Sequence, residues 1–211
     1  MINEKHLQEK IKDRYEAESS QSCSLGCGNA MGALNIKAGE HVLDLGCGRG
    51  EETIEAARLT GPRGKATGLD LTEGMIAKAR EHAAMENAAN TAFVQGDIEA
   101  LPFEACVFDG VMSNCVINHA RDKKRAFSEI HRVLRPRGRF VVSDAVSKIP
   151  LPQEVKNDPE AWAQCFGGAV TEEEYLGAIG SAGFREIEVL NRREYLKNGY
   201  DFISLTIKAV K

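Results

Sequence analysis

From residue 41 onward, short apolar runs alternate with longer stretches whose apolar residues recur at helical spacing. The apolar runs predict strands at 41–45, 65–69, 91–95, 107–112 and 138–144, and the periodic stretches predict helices at 51–59, 72–87 and 122–134. A proline-containing stretch then precedes a predicted helix at 171–182 and two predicted strands at 184–190 and 201–209. This order predicts an α/β fold: a mainly parallel seven-stranded sheet with an antiparallel hairpin at one edge and helices on both faces.

The first residues predict an amphipathic helix at 3–17, because Leu7, Ile11 and Tyr15 share one face. A loop rich in Ser, Gly and Cys follows at 19–29. We expect residues 1–35 to form a helix and cysteine loop that cap the site, and residues 145–170 to form an insertion. Because no repeat or linker divides the chain, we predict one domain over 1–211.

Composition and charge exclude several classes of protein. The chain has 211 residues, 43% of them hydrophobic and 27% charged, which is typical of one globular domain. The net charge of -4 gives no electrostatic basis for binding nucleic acid. No apolar run reaches the roughly 18 residues of a membrane span, and the charged N-terminus lacks a signal-peptide core. We therefore predict a cytoplasmic protein without a nucleic-acid or membrane partner.

A glycine-rich turn joins the first predicted strand to the following helix, in Val-Leu-Asp-Leu-Gly-Cys-Gly-Arg-Gly at 42–50. Gly46, Gly48 and Gly50 allow positive φ angles and let backbone N–H groups approach a ligand closely. Asp70 ends the second predicted strand, where a carboxylate can accept hydrogen bonds from both hydroxyls of a ribose. These features predict a nucleoside cofactor. A dinucleotide and an ordinary glycine turn remain as alternatives at this point.

The stretch Asp-Leu-Gly-Cys-Gly-x-Gly closely resembles motif I of class I S-adenosylmethionine-dependent methyltransferases. The resemblance implies a Rossmann-like class I methyltransferase fold, with S-adenosylmethionine as the methyl donor. It also implies that Asp44 lies under the methionine part of the cofactor and that Asp97 accepts from the adenine amino group, with Ile98 against the ring. A plain turn residue is the alternative for Asp97, and a small apolar filler is the alternative for Cys47. The cofactor-binding residues so implied are Asp44, Gly46, Cys47, Gly48, Gly50, Asp70, Leu71, Met75, Gly96, Asp97, Ile98 and Asn114.

Three of the six cysteines fall in polar or glycine-rich segments that we expect on the cofactor side of the sheet. Cys115 directly follows the fourth predicted strand, Cys165 precedes two glycines in the insertion, and Cys27 lies in the N-terminal loop. In a reducing compartment these thiols are not expected to form a disulfide framework. Cys106 is predicted to lie in a surface turn and receives no role.

The segments around these cysteines are similar to those of the arsenite methyltransferase family: Gly-Cys-Gly-Asn, Cys-Phe-Gly-Gly-Ala, and Ser-Asn-Cys-Val-Ile-Asn followed by Asp122-Lys123. The similarity runs over about residues 15–209. It implies that Cys27, Cys115 and Cys165 are the catalytic, arsenic(III)-binding thiolates. It further implies methyl transfer to arsenite or a thiol conjugate, an external thiol reductant such as glutathione or a thioredoxin-like protein, and a monomer by default.

The sequence also departs from the family pattern. Ala30 stands where the family often has proline, and Cys23 is a weak match to the cysteine that some members use in a disulfide relay. The family commonly carries an additional C-terminal domain, whereas this sequence stops at Lys211, so we expect a short form.

The proposed chemistry fits the residue types, because trivalent arsenic is soft and prefers thiolate ligands. Three sulfur ligands leave the arsenic lone pair pointing outward, where it can attack a sulfonium methyl group in line. His119 is either a ligand or a residue that orients Cys115, with a helix cap or surface residue as the plainer interpretation. Residues 123–125 are predicted to form a solvated helix face.

Two other functions remain open from the sequence. The first is a quinone-type or other small-molecule methyltransferase in which the cysteines have no role. The second is a soft-metal or zinc-binding module without methyl transfer, in which three cysteines and His119 form a tetrahedral site.

Overall fold

The computed structural model describes residues 4–18 and 29–211, so the predictions for Cys23 and Cys27 lie outside the described residues. The strands within these ranges are β1 (His41–Leu45), β2 (Lys65–Asp70), β3 (Thr91–Gln95), β4 (Phe108–Asn114), β5 (Leu134–Ser147), β6 (Arg185–Lys197) and β7 (Tyr200–Val210). The α-helices are α1 (Glu4–Glu18), α2 (Ala30–Leu34), α3 (Glu51–Thr60), α4 (Glu73–Met85), α5 (Lys123–Val133), α6 (Gln153–Lys156), α7 (Pro159–Ala163) and α8 (Glu172–Ser181). One 3-10 turn spans Ile117–His119.

The strands of the described chain form a seven-stranded sheet in the order β3-β2-β1-β4-β5-β7-β6. Neighbouring strands from β3 to β5 are parallel, and β7 is antiparallel to both β5 and β6. The predicted mainly parallel sheet with an antiparallel edge hairpin is therefore confirmed. The strand order reverses between β1 and β4, and such a reversal opens a crevice at the carboxyl ends of these strands, where ligands of open α/β sheets bind.

Helices cover both faces of the sheet, as predicted. On one face α5 and α8 pack against β4, β5 and β7, and the rings of Phe127 and Tyr175 meet edge to face with centroids 5.4 Å apart. On the other face Leu34 of α2 and Ala57 of α3 pack against Val42 of β1. Each large apolar side chain buried in this way contributes about 1.5–3 kcal/mol. These two cores fix the strand ends that carry the site.

Helix α1 lies across the open end of the sheet and contacts α4 and α7. Leu7 and Ile11 are 1% and 4% exposed, so the apolar face predicted from their spacing is buried. The backbone N–H of Gly74 donates to the carboxylate of Glu16 at 3.1 Å, and the Arg14 guanidinium donates to the Ala163 carbonyl. No helix in residues 4–18 and 29–211 combines the length and apolarity required to cross a bilayer.

The largest differences from the predicted elements lie in short helices and long strands. Residues 145–170 are not one irregular insertion, because they contain the end of β5 together with α6 and α7. These helices, like α2, have four or five residues, too few to show a periodic apolar pattern. Strand β5 begins at Leu134, directly after α5, with a register shift between Phe108 and Gly110 of its neighbour β4.

Candidate active site

A cavity of about 360 Å³ opens at the carboxyl ends of β1, β2 and β4, beneath α1. Eleven of the twelve residues predicted to bind the cofactor line it: Asp44, Gly46, Cys47, Gly48, Asp70, Leu71, Met75, Gly96, Asp97, Ile98 and Asn114. The side chains Leu7, Ile11 and Tyr15 of α1 line its opposite wall. Predicted cofactor residues from five segments of the chain therefore line one cavity.

Gly50 is the predicted cofactor residue that does not line the cavity. It precedes the first residue of α3 and has a φ of +83°. A Cβ atom at this position would lie 2.9 Å from the ring of Phe93 and 3.1 Å from Ala79. Gly50 therefore permits close packing of the turn against α4 and β3, and its assignment as a cofactor contact is corrected on this ground.

Backbone hydrogen bonds to the end of β2 hold the glycine turn in place. Gly46 and Gly48 have φ angles of +71° and +52°. The N–H groups of Gly46 and Cys47 both donate to the carbonyl of Leu69, at 2.7 and 3.0 Å. A Cβ atom on Gly46 would lie 2.1 Å from a methyl group of Val116, whereas one on Gly48 would meet nothing within 4 Å. The open space beside Gly48 leaves room for another molecule to come close to the backbone.

Asp44 is a fully buried carboxyl group at the base of the cavity, 3% exposed. The Thr53 hydroxyl donates to it at 2.6 Å. Burial raises the pKa of Asp44 to about 7, the Thr53 hydrogen bond opposes this rise, and the nearby charges of Glu52 and Asp70 add to it. A positive charge beside Asp44 would favour its ionised form and oppose the effect of burial.

Asp70 holds the end of β2 in place through three hydrogen bonds. Its Oδ2 accepts from the Gly48 N–H at 3.0 Å, and its Oδ1 accepts from the N–H and hydroxyl of Thr72 at 3.0 and 2.9 Å. Burial raises the pKa of Asp70, and these hydrogen bonds oppose the rise. A carboxylate has about four acceptor positions, two on each oxygen. Both positions of Oδ1 are used and one of Oδ2 is used, so Oδ2 alone can accept a further hydrogen bond.

The predicted adenine end is built by the turn after β3. Ile98 is buried and lines the cavity. Asp97 lines it too, but its Oδ1 also accepts from the Glu99 N–H at 2.8 Å, so the turn role and the cavity position coexist. The backbone N–H of Gly96 donates to the carbonyl of Asp70 at 2.9 Å, which fixes this turn beside the end of β2.

Asn114, at the end of β4, connects the cavity to two further segments. Its Nδ2 donates to Glu52 Oε2 at 2.5 Å, and its Oδ1 accepts from the N–H of Ala30 at 3.4 Å. Glu52 lines the cavity, and burial raises its pKa. Sequence reasoning missed Glu52, which carried no signal beyond the first-turn acidity of α3.

Cys115 lies in the cavity wall, as its position after the fourth predicted strand indicated. The residue is 6% exposed and has a φ of +57°, so the chain turns sharply at this point. Its N–H donates to the carbonyl of Ser143 at 2.8 Å, which ties the turn to β5.

Cys165 lies behind two residues of the cavity wall. Its Sγ is 3.0 Å from His119 Nε2 and 3.1 Å from the Tyr15 hydroxyl, which itself is 2.9 Å from the same nitrogen. Burial raises the pKa of Cys165 to about 11, and the Tyr15 hydrogen bond opposes this rise. Burial lowers the pKa of His119 to about 3, with the Arg14 charge adding to the effect, so the imidazole is neutral at physiological pH.

This arrangement corrects the prediction for His119. His119 is not a surface group, and its hydrogen-bond partners are Cys165 and Tyr15 in place of the predicted Cys115. Tyr15 comes from α1, far away in the sequence, and no local pattern linked it to either residue. Its helical spacing with Leu7 and Ile11 was the available signal that it faces the site.

The structure describes two further cysteines, Cys47 and Cys106. Cys47 is 7% exposed and packs among apolar residues, although it also lines the cavity, and burial raises its pKa well above the usual value. Cys106 is exposed, as predicted. Among residues 4–18 and 29–211, no three His, Cys, Asp or Glu side chains are grouped so as to hold a metal ion. This statement does not cover a site that includes Cys27, because Cys27 lies outside the described residues.

The prediction that residues 123–125 form a solvated helix face is wrong for Lys123. Lys123, expected on a solvated helix face, is 8% exposed, whereas Lys124 next to it is exposed. Lys123 is the first residue of α5, and its ammonium group turns inward to the carbonyls of Ala120 and Gly168. Burial lowers the pKa of Lys123, and the charge of Asp144 opposes this effect.

Several known proteins that this chain resembles are methyltransferases. A family model described as a methyltransferase domain matches residues 36–183. An arsenite methyltransferase of Halobacterium salinarum is 41% identical over 170 residues, 81% of this chain and 44% of that protein. A demethylmenaquinone methyltransferase of Symbiobacterium thermophilum is 33% identical over 147 residues, 67% of this chain and 58% of that protein.

Among solved structures, an arsenic(III) S-adenosylmethionine methyltransferase from Chlamydomonas reinhardtii superposes with a TM-score of 0.79 at 32% identity, covering 94% of this chain and 73% of that chain. The chain spans about half the length of the curated relatives it matches. The fold, the matched methyltransferase domain and these identities lead to one conclusion: the chain belongs to the arsenite methyltransferase family of class I S-adenosylmethionine-dependent methyltransferases.

Proposed function

We propose that this protein transfers a methyl group from S-adenosylmethionine to trivalent arsenic, arsenite or a thiol conjugate, held by the thiolates of Cys27, Cys115 and Cys165. One observation carries the proposal. Cys115 lies in the wall of the same cavity as the predicted nucleoside residues, and Cys165 is hydrogen bonded to two further wall residues. A thiophilic substrate held there would lie beside the cofactor position.

The residues around the cavity fit S-adenosylmethionine, which when bound supplies an electrophilic sulfonium methyl group. The open space beside Gly48 admits a ligand close to the backbone. Asp44 would face the cationic methionine part, and the Asp70 Oδ2 atom would accept from the ribose. Asp97 and Ile98 would bind the adenine. All of these residues line the cavity.

The thiols have to lose their protons when the metalloid binds. With its pKa raised to about 11, Cys165 is a thiol at neutral pH. Arsenite can remove these protons itself, because each of its hydroxides leaves as water with the proton of one thiol. One As–S bond forms for each As–O bond broken. The hydrogen bonds of Cys165 to Tyr15 and His119 are exchanged for the new bond to arsenic.

Transfer then needs alignment more than acid–base chemistry. With S-adenosylmethionine bound, the lone pair of arsenic held by the cysteines would form the bond to the methyl carbon, and the electron pair of the broken carbon–sulfur bond would stay on sulfur. Holding two reactants in line supplies roughly 7–11 kcal/mol of a barrier. Arsenic is oxidised from the trivalent to the pentavalent state in this step, so two electrons are needed to restore it. We assign these to an external thiol reductant, glutathione or a thioredoxin-like protein, and we propose a cytoplasmic monomer.

The test is arsenite methylation with product speciation. Purified wild type is incubated with arsenite, S-adenosylmethionine and a thiol reductant, beside Cys27→Ser, Cys115→Ser and Cys165→Ser. Cys106→Ser is the matched control because Cys106 is exposed and does not line the cavity. We expect methylated arsenic from the wild type and the control, and loss of turnover in the other three. Equal turnover in all variants would remove the arsenic assignment.

A second function is favoured by one observation, the similarity to a demethylmenaquinone methyltransferase. A quinone-type or other small-molecule methyltransferase would keep its turnover in all four serine variants, and it would methylate a demethylquinone in the same assay format. A soft-metal or zinc-binding module without methyl transfer is distinguished by elemental analysis, because it would contain stoichiometric metal and yield no methylated product.

A further inference from the structure

The buried ammonium group of Lys123 joins the two segments that carry Cys115 and Cys165. Its Nζ donates to the Ala120 carbonyl at 3.2 Å and to the Gly168 carbonyl at 2.6 Å. Ala120 ends the short stretch that begins at Cys115, and Gly168 is three residues after Cys165. One side chain therefore bridges the backbones of both cysteine segments.

The charge of Lys123 is held in place from several sides. Asp144, 2% exposed, is the acid with the strongest charge interaction with Lys123. Asp144 itself accepts from the N–H and side-chain amide of Asn118 at 3.1 and 2.8 Å and from the Tyr175 hydroxyl at 3.2 Å. The ring of Trp162 lies 5.9 Å from Nζ. The two carbonyl acceptors and the neighbouring ring leave this buried cation little freedom to move, and Asp144 favours its charged form.

The two segments also contact each other directly, so the distance between their backbones can change very little. A Cβ atom on Gly168 would lie 2.0 Å from the carbonyl oxygen of Asn118 and 2.6 Å from the ring of Trp162. The hydrogen bond between His119 Nε2 and Cys165 Sγ, 3.0 Å long, joins the same two segments. Close packing and the shared ammonium group together fix the backbone of residues 118–120 against that of Gly168.

We infer that Lys123 is a positioning residue for the metalloid site: it fixes the backbone of the Cys115 segment against that of the Cys165 loop, so that one arsenic atom reaches both sulfurs. This inference rests on the proposed function. It assigns Lys123 no contact with the substrate and no part in proton transfer. Its consequence is specific, because the affinity of a two-thiol ligand depends on the effective concentration of the second thiol.

Phenylarsine oxide is the probe for this geometry. Its arsenic binds two thiols and releases its oxygen as water, so tight binding reports two sulfurs in reach of each other. The variants are Lys123→Met, Lys123→Met combined with Asp144→Asn, and the exposed neighbour Lys124→Met as control. The double variant removes the buried carboxylate that loss of Lys123 would leave uncompensated, and so separates stability from positioning. S-adenosylmethionine affinity and protection of Cys115 and Cys165 from alkylation are measured in parallel.

We expect the wild type and Lys124→Met to bind the probe tightly, with both cysteines protected. Both Lys123 variants should bind it about tenfold or more weakly, while their affinity for S-adenosylmethionine is unchanged. Wild-type binding by the double variant would overturn the inference. An equal loss of probe and cofactor affinity would also overturn it, since that is what a merely structural role predicts. If the wild type itself fails to protect both cysteines, the proposed function fails, and the inference fails with it.

Discussion

The buried carboxyl group of Asp44 allows a quantitative test of the electrostatics of the cavity. Its pKa rises from 3.8 to about 7, chiefly because burial removes the solvation of the charged form. Since one pKa unit corresponds to about 1.4 kcal/mol, ionised Asp44 costs the native state about 4 kcal/mol once the pH exceeds 7. We therefore expect Asp44→Asn to stabilise the protein at alkaline pH.

The direction of the pH dependence follows from which state holds the proton. Between pH 4 and pH 7 the native state keeps the proton on Asp44, whereas the unfolded chain has released it. The stability contributed by Asp44 is therefore fully present below about pH 4 and is lost as the pH rises through 7. Asparagine does not titrate, and its oxygen can still accept from Thr53. The difference in unfolding free energy, variant minus wild type, should increase by about 3 kcal/mol between pH 5 and pH 8.

The assay is urea denaturation followed by circular dichroism at pH 5, 6, 7 and 8, with the cysteines reduced and no cofactor present. Asp97→Asn is the matched control, because it removes a half-buried carboxylate from the same cavity. Comparing each variant with wild type at the same pH cancels the titration of every group that does not interact with the replaced carboxyl group. A difference for Asp44→Asn that stays constant from pH 5 to pH 8 would refute the reasoning.

Three further predictions concern the same cavity. Thr53→Val should cost about 1–3 kcal/mol of unfolding free energy, and more at pH 8 than at pH 5, because it removes the hydrogen bond to ionised Asp44; urea denaturation measures both values. Gly46→Ala should lower stability by about 1–3 kcal/mol in thermal denaturation, because its Cβ would lie 2.1 Å from a valine methyl group at a φ of +71°. The alkylation rate of Cys165 by iodoacetamide should rise from pH 8 toward pH 11, and Tyr15→Phe should slow it at each pH, because the Tyr15 hydrogen bond lowers the pKa of this thiol.

The sequence predicted the sheet well because its signals are local. Buried parallel strands are short continuous apolar runs, and the glycine turn after β1 has a distinct spacing. The carboxyl ends of such strands meet at one edge. The family resemblance placed cofactor residues at these ends, so they could be named without knowing their contacts. Gly50 was the exception, since the same residue type borders open space at Gly48 and permits close packing at Gly50.

The contacts within the site could not be predicted, because they join segments far apart in the chain. The hydroxyl of Tyr15 reaches Cys165 and His119 only after α1 docks across the open end of the sheet. Lys123 looked like part of a basic surface run, and its inward turn depends on the carbonyl of Gly168 arriving from a distant loop. Such tertiary contacts leave no periodicity in the sequence.

The central claim, a metalloid held by three cysteine sulfurs beside the cofactor cavity, is tested most directly by arsenic K-edge X-ray absorption on the arsenite-bound protein. We predict three sulfur neighbours and no oxygen neighbour in the wild type. Cys115→Ser should show two sulfur neighbours and one oxygen. An oxygen shell around arsenic in the wild type, or a sulfur count that Cys115→Ser leaves unchanged, would contradict the account.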